Sequence, residues 1–222
     1  MATVTEKRDV RDFNEVALQG YGDLLIEQNP DAPESLEIEA DQDILSKLTS
    51  QVRNGRLILG FDMPWYDWIG WGMEWLFTTN KSIHYRLSLK QVNSVALSGS
   101  ASLTSSRLQS QALKLVVSGS GKVRLGELQA GSFALTISGS GDIEVSAGTA
   151  PKQDIMISGS GRVHTLGVQT EDTHVTISGS GNAQVDASQS LTVHISGSGD
   201  VKYKGSPKVN QSISGAGSVR QI

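Results

Sequence analysis

Ile137-Ser138-Gly139-Ser140-Gly141-Asp142-Ile143 is the stretch that decides the fold, because the chain repeats it. Ser-Gly-Ser-Gly also stands at Ser118–Gly121, Ser158–Gly161, Ser178–Gly181 and Ser196–Gly199, with near-copies at Ser98–Ala101 and Ser214–Gly217. Successive starts are 20, 20, 20, 20, 18 and 18 residues apart. A fixed period of this length marks a solenoid, in which one coil cannot bury its apolar face without its neighbours. A propeller blade needs roughly 40 residues or more.

The flanks follow the same rule. Leu97, Val117, Ile137, Ile157, Ile177, Ile195 and Ile213 precede the motifs, and Val95, Leu115, Leu135, Ile155, Val175 and Val193 stand two residues earlier. Mixed residues lie between them. This period of two predicts a half-buried strand before each motif. Val123, Ile143, Val163, Ala183, Val201 and Val219 predict a second strand after it. The turn ladder is then Gly99, Gly119, Gly121, Gly139, Gly141, Gly159, Gly161, Gly179, Gly181, Gly197, Gly199, Gly215 and Gly217. Glycine suits a bend where a Cβ would clash with a neighbouring coil, and the serines are expected to form hydroxyl ladders along it. The fold class is all-β: a right-handed parallel β-helix of ~20-residue rungs, right-handed by the general crossover preference, with a β-rich N-terminal region.

Composition narrows the function. The 222 residues carry 19 basic and 23 acidic side chains, without a Lys/Arg-rich run, so no nucleic-acid footprint appears. Absence of cysteine removes disulfides, thiolate metal sites and a lipid-anchoring cysteine. Met1–Lys7 is polar and lacks the apolar core of a signal peptide. This leaves either a cytoplasmic protein or one whose leader was removed.

Along the chain, residues 1–90 form the β-rich N-terminal region and 91–222 the Ser-Gly-Ser-Gly helix, read as one continuous unit. Residues 1–12 are charged and read as a frayed lead-in. Gly20-Tyr21-Gly22 is a degenerate first copy of the corner. Ser35–Ala40 alternates as a strand, Asp41 is placed to N-cap a short helix, and Asn54-Gly55 signals a hairpin between Leu48–Arg53 and Arg56–Phe61. Residues 61–77 break the pattern and hold all four tryptophans. Strand character resumes at Ile83–Leu89.

Asp12-Phe13, Gly20-Tyr21-Gly22-Asp23, Ala40-Asp41-Gln42-Asp43, Asn54-Gly55-Arg56-Leu57-Ile58 and the Ser-Gly-Ser-Gly ladder together resemble the head GIN domain family of "putative autotransporter adhesins", over roughly residues 10–222. The resemblance implies a bacterial envelope or secreted protein with a β-helical fold, acting in adhesion or as a surface scaffold, with no catalytic residues to carry over. The aromatic insert is atypical of that family.

The candidates for chemistry each have a structural explanation. Lys122, Asp142, Arg162, Asn182, Asp200 and Ser218 follow the motifs, and Arg124, Glu144, His164, Gln184, Lys202 and Arg220 come two residues later. Their alternating signs predict lateral ion pairs that hold register rather than a ligand groove. His174 and His194 fall on neighbouring coils without the further ligands a metal site needs. Asp142 and Glu144 invite a two-carboxylate hydrolase, but neighbouring Lys122, Arg124 and Arg162 would keep both ionised. The motif serines recur without a recurring base, so no nucleophile is assigned. No catalytic, metal or cofactor site is therefore expected.

The insert is the stretch that reads as functional. Trp65, Tyr66, Trp68, Trp71, Trp75 and Phe77 are its interaction candidates, with Trp68, Trp71 and Trp75 on one side if helical. A contact between copies, a cap over the solenoid, and a membrane or glycan contact compete; Asp62, Asp67 and Glu74 disfavour the membrane. The expectation is a non-catalytic scaffold or adhesin-like protein that self-associates through this insert or through rung edges. A polysaccharide-binding or polysaccharide-degrading β-helix is the alternative.

Overall fold

The structure, a computed structural model, describes residues 3–61 and 82–222. Its centre is a parallel β-solenoid of about six turns. The strands before each corner are β8 (Ser94–Gly99), the ends of β9 (Ser102–Gly119) and β10 (Lys122–Gly139), β12 (Lys152–Gly159), the ends of β13 (Arg162–Gly179) and β14 (Asn182–Gly197), and β16 (Lys208–Gly215). They stack in parallel, aligning Gly99, Gly119, Gly139, Gly159, Gly179, Gly197 and Gly215 in one column. This is the leading side. On the trailing side the beginnings of β9 and β10, then β11 (Asp142–Thr149), the beginnings of β13 and β14, β15 (Asp200–Lys204) and β17 (Ser218–Gln221) stack likewise.

A third side completes each coil. Along β10 the inward residues are Val123, Leu125, Leu128, Ala130, Phe133, Leu135 and Ile137. Alternation slips between 125 and 128 and again between 130 and 133. Two successive outward residues in a period-two strand mean that the chain has turned. With the Ser-Gly-Ser-Gly corner this makes three corners and three short sides, one more side than the strand–bend–strand reading of the repeat. Inward residues of all sides form one cluster that runs from Val10 to Val201. Each inward Leu or Ile contributes on the order of 1.5–3 kcal/mol.

The corner works through its two glycines for different reasons. Gly139 has φ +123°, and a Cβ there would stand 2.5 Å from the Gly119 carbonyl oxygen, as one on Gly159 would stand 2.4 Å from that of Gly139. Gly141 turns inward, where a Cβ would meet Val117 Cγ1 at 2.5 Å. Main chain, and not the expected hydroxyl ladder, joins successive corners. The N–H groups of Ser120, Ser140, Ser160, Ser180 and Ser198 donate to the carbonyls of Gly99, Gly119, Gly139, Gly159 and Gly179 at 2.8–2.9 Å. Ala216 makes the same bond, to Gly197 at 2.9 Å, without a hydroxyl. The serine side chains remain exposed to solvent.

The N-terminal region extends the ladder. Strands β2 (Glu15–Gly20) and β3 (Asp23–Gln28) pair in parallel with β8 and β9, matching Gly20 to Gly99 and Asp23 to Ser102. Gly20-Tyr21-Gly22 is thus a corner of the same column. Strands β5 (Leu48–Arg53) and β6 (Arg56–Phe61) form the expected hairpin, with Asn54 and Gly55 both at positive φ, as a type I′ turn requires. Strand β6 lies parallel on the outer edge of β2, and β7 (His84–Leu89) on the outer edge of β3. Together β6 and β7 build a further rung outside β2–β3, although they follow it in sequence.

The first strand corrects the frayed lead-in. Thr3–Arg8 is β1, paired antiparallel over six positions with β4 (Ser35–Asp41), which is itself antiparallel to β7. The Arg8 guanidinium anchors it, donating to the Leu48 carbonyl at 2.7 Å and the Leu45 carbonyl at 3.2 Å. Helix α1 (Gln42–Leu45) is a single turn that tucks Ile44 and Leu45 into the core. Asp41 occupies its N-cap position, but its side chain makes no capping bond.

Candidate functional site

Topology sets the two ends of the aromatic insert's connection. In every other rung a tight corner joins the leading to the trailing strand; between β6 and β7 the chain runs from Phe61 to His84 instead. Trp65, Tyr66, Trp68, Trp71, Trp75 and Phe77 lie there, outside the described residues. The flanks sit on the preceding corner. The Phe61 ring stacks on Tyr21 with centroids 5.4 Å apart. The Ile83 carbonyl accepts the Asp23 N–H at 2.8 Å, and Tyr85 packs against Gly22. The connection from Phe61 to His84 therefore joins a leading to a trailing strand at the outer rung, where the other described rungs have a tight corner. Burial raises the pKa of both Tyr21 and Tyr85, because a phenolate would lose its hydration there.

The charged columns fall where the repeat put them. Lys122, Asp142, Arg162 and Asn182 are direct neighbours across rungs, as are Arg124, Glu144 and His164. Arg162 donates to both Asp142 oxygens, at 2.8 and 3.2 Å, and this bond with its charge raises the arginine's pKa further. Arg124 stands 3.9 Å from Glu144. These exposed pairs line a shallow depression of about 340 Å³, in which each carboxylate faces a guanidinium. His174 and His194 meet edge to face at 5.4 Å on the leading side, and His174 Nε2 is 3.2 Å from the Thr176 hydroxyl. Among the described residues, no group of three or more His, Asp or Glu side chains is placed to hold a metal ion.

A larger cleft, of about 920 Å³, opens on the third side and was not singled out from the sequence. Its walls include Gln28 at the end of β3, Lys90 and Gln91 from the β7–β8 loop, and Arg107, Gln109 and Gln129 from successive rungs. Gln109, Gln129, Thr149 and Gln169 form one outward column. The signal was present as glutamine recurring at 20- and 40-residue steps, but a polar outward position looks like ordinary surface when each rung is read alone. The Gln28 carboxamide works as an extra rung piece: it donates to the carbonyls of Gln109 (2.9 Å) and Lys90 (3.2 Å) and accepts the Gln109 N–H (2.6 Å).

The family model described as "Putative auto-transporter adhesin, head GIN domain" matches residues 12–207. The chain belongs to this family. The head GIN fold recurs in crystal structures. A "putative adhesin" from Bacteroides fragilis superposes with a TM-score of 0.83 at 19% identity, over 100% of this chain and 97% of that one. Another "putative adhesin", from Parabacteroides merdae, gives 0.74 at 23% identity over 99% and 96%. A "putative lipid binding protein" from Parabacteroides distasonis gives 0.73 at 24% over 99% and 96%. At such identities the likeness is one of fold. Comparison with curated proteins finds no match.

Proposed function

We propose that this head GIN chain is a non-catalytic protein of the bacterial surface or envelope, an adhesin-like scaffold that associates with itself through its aromatic insert or through rung edges. The observation that carries the reading is the replacement of one tight corner, at the outer rung alone among the described ones, by a segment holding all four tryptophans. The other described corners place two residues between strands, as Ser140 and Gly141 between β10 and β11; this connection has 22, residues 62–83, six of them aromatic, the type that dominates protein contacts. Family membership supports an adhesive surface role. Charge supports end-to-end contact: residues 3–61 hold twelve acidic and six basic side chains, residues 200–222 one acidic and four basic. Opposite fields at the two ends favour head-to-tail encounter over head-to-head. Among the described residues, β16 and β17 each pair on one edge only, with β14 and β15.

The test is solution mass by light scattering at two concentrations, with tryptophan emission on the same samples. The reading expects mass above one chain that rises with concentration, with blue-shifted emission. Trp68→Ala with Trp71→Ala should lower that mass while leaving the unfolding midpoint in place. A single-chain mass at both concentrations overturns it.

A further inference from the structure

We infer that the third-side cleft is a binding site for an oligosaccharide that carries carboxylates. Its polar groups suit such a ligand. Carboxamides offer a donor and an acceptor side by side, which matches neighbouring sugar hydroxyls. Gln91, Gln109 and Gln129 present three of them along the cleft. The column Gln109, Gln129, Thr149 spans two rung steps, roughly 10 Å at the spacing of parallel strands, long enough for a few sugar units in extended form. Lys90 and Arg107 add positive charge, and the residues lining the cleft include no carboxylate. Beside the cleft, Glu127 faces Arg107 at 3.7 Å and accepts from Gln129 at 3.1 Å. That contact orients both side chains and leaves further guanidinium and amide donors for a ligand.

The cleft is also built. The doubly anchored Gln28 carboxamide fixes its floor to Gln109, and the Ser110 hydroxyl lies 3.5 Å from the Asn93 side chain across the loop that forms its wall. This positive, carboxamide-lined hollow contrasts with a chain whose net charge is −4. The charged depression on the trailing side differs: two carboxylates, Asp142 and Glu144, stand among its own lining residues.

Calorimetric titration of the full chain with tetragalacturonate, against the uncharged tetramer maltotetraose, tests the inference. Saturable binding of tetragalacturonate is expected, at least about tenfold tighter than maltotetraose, since charge-assisted hydrogen bonds are the stronger class. Arg107→Gln and Gln129→Leu should each weaken it about tenfold or more at an unchanged melting temperature, a tenfold loss being the scale of one such bond. Thr136→Leu, on the leading side, should leave binding as it was. The Trp68→Ala, Trp71→Ala chain should bind equally well, which separates this site from self-association. No saturable heat, equal affinity for the two tetramers, or indifference to Arg107→Gln and Gln129→Leu overturns the inference.

Discussion

At Gly159 a methyl group would stand 2.4 Å from the Gly139 carbonyl oxygen, on a residue whose φ is +120°. The obstacle is main chain already bonded to Ser160, so no rotamer change can relieve it. At Gly161 a Cβ would meet the buried Ile137 Cγ2 at 2.5 Å and the Gly141 carbonyl oxygen at 2.9 Å, without a positive φ. The motif therefore holds two glycines under different constraints, a positive φ against a carbonyl at the first and an inward-facing position at the second, where Ala101 stands fully buried in the copy at Ser98–Ala101. Tyr85 is the opposite case, a residue that breaks a rule of burial. It is 1% exposed, and its hydroxyl has no hydrogen-bond partner among the described residues. Such a group costs on the order of 1–3 kcal/mol, and burial pushes its pKa up. The sign follows: above about pH 10 an unfolded tyrosine ionises while the buried one holds its proton. Stability from this source is full below that pH and falls as pH rises. Tyr85→Phe should raise the melting temperature at pH 7 and flatten its decline between pH 9 and 11; an unchanged alkaline slope would show that Tyr85 is not its origin.

Between the rungs of β13 and β14 the repeat shortens from 20 to 18 residues, and here the element must absorb a mismatch. Register shifts between Thr165 and Gln169 and between Thr170 and Asp172. Carbonyls near the shift find threonine hydroxyls. Thr165 donates to Gln184 O at 3.2 Å and Thr170 to Asp186 O at 2.5 Å, while Ser188 Oγ reaches Thr170 O at 2.9 Å. A hydroxyl has one proton, so the 2.6 Å contact between Thr170 and Thr173 has Thr173 as donor. Thr170→Val removes that linkage within a buried site. The expected loss is about 1–3 kcal/mol, read as a lower urea midpoint at unchanged m; a midpoint that does not move would make the hydroxyl dispensable. Spacing in the sequence announced the shortening but not its place, because Thr165, Thr170 and Thr173 look like ordinary strand residues until their inward direction is known. The same limit explains the N-terminal region. Leu97-to-Ile195 alternation and the Asn54-Gly55 turn are local signals and were readable. The slot that β7 fills between β3 and β4, and the place of β1 on the other edge of β4, are set by long-range pairing that no local pattern encodes. Gln109, Gln129 and Gln169 were readable as a period and not as a cleft, since Gln28 and the β7–β8 loop supply its other wall.

At the scale of the molecule, the rod is a stack in which each coil touches only its neighbours, so whole coils should be removable. Residues 142–161 and 122–161 are one and two complete 20-residue rungs within a stretch of constant period. Both deletions rejoin Gly141 or Gly121 to Arg162 at a corner and keep the inward Val and Leu columns aligned. They differ in charge. Removing one rung takes out Asp142 and Glu144 and sets Lys122 beside Arg162 and Arg124 beside His164, where the full chain has Arg162 on Asp142 and Arg124 near Glu144. Removing two rungs sets Ser102 and Thr104 there instead. Like charges directly across a strand pair destabilise by roughly 0.2–1 kcal/mol each, and exposed charges are screened by salt. Both shortened rods should therefore keep a β-type circular dichroism spectrum. Only the one-rung deletion should gain melting temperature between 0.05 and 0.5 M NaCl, roughly the range over which the Debye length shrinks below a rung-to-rung ion contact's reach. Equal salt responses in the two rods would mean that the charged columns do not set which coils stack, and that the apolar columns and main-chain ladder alone hold the register.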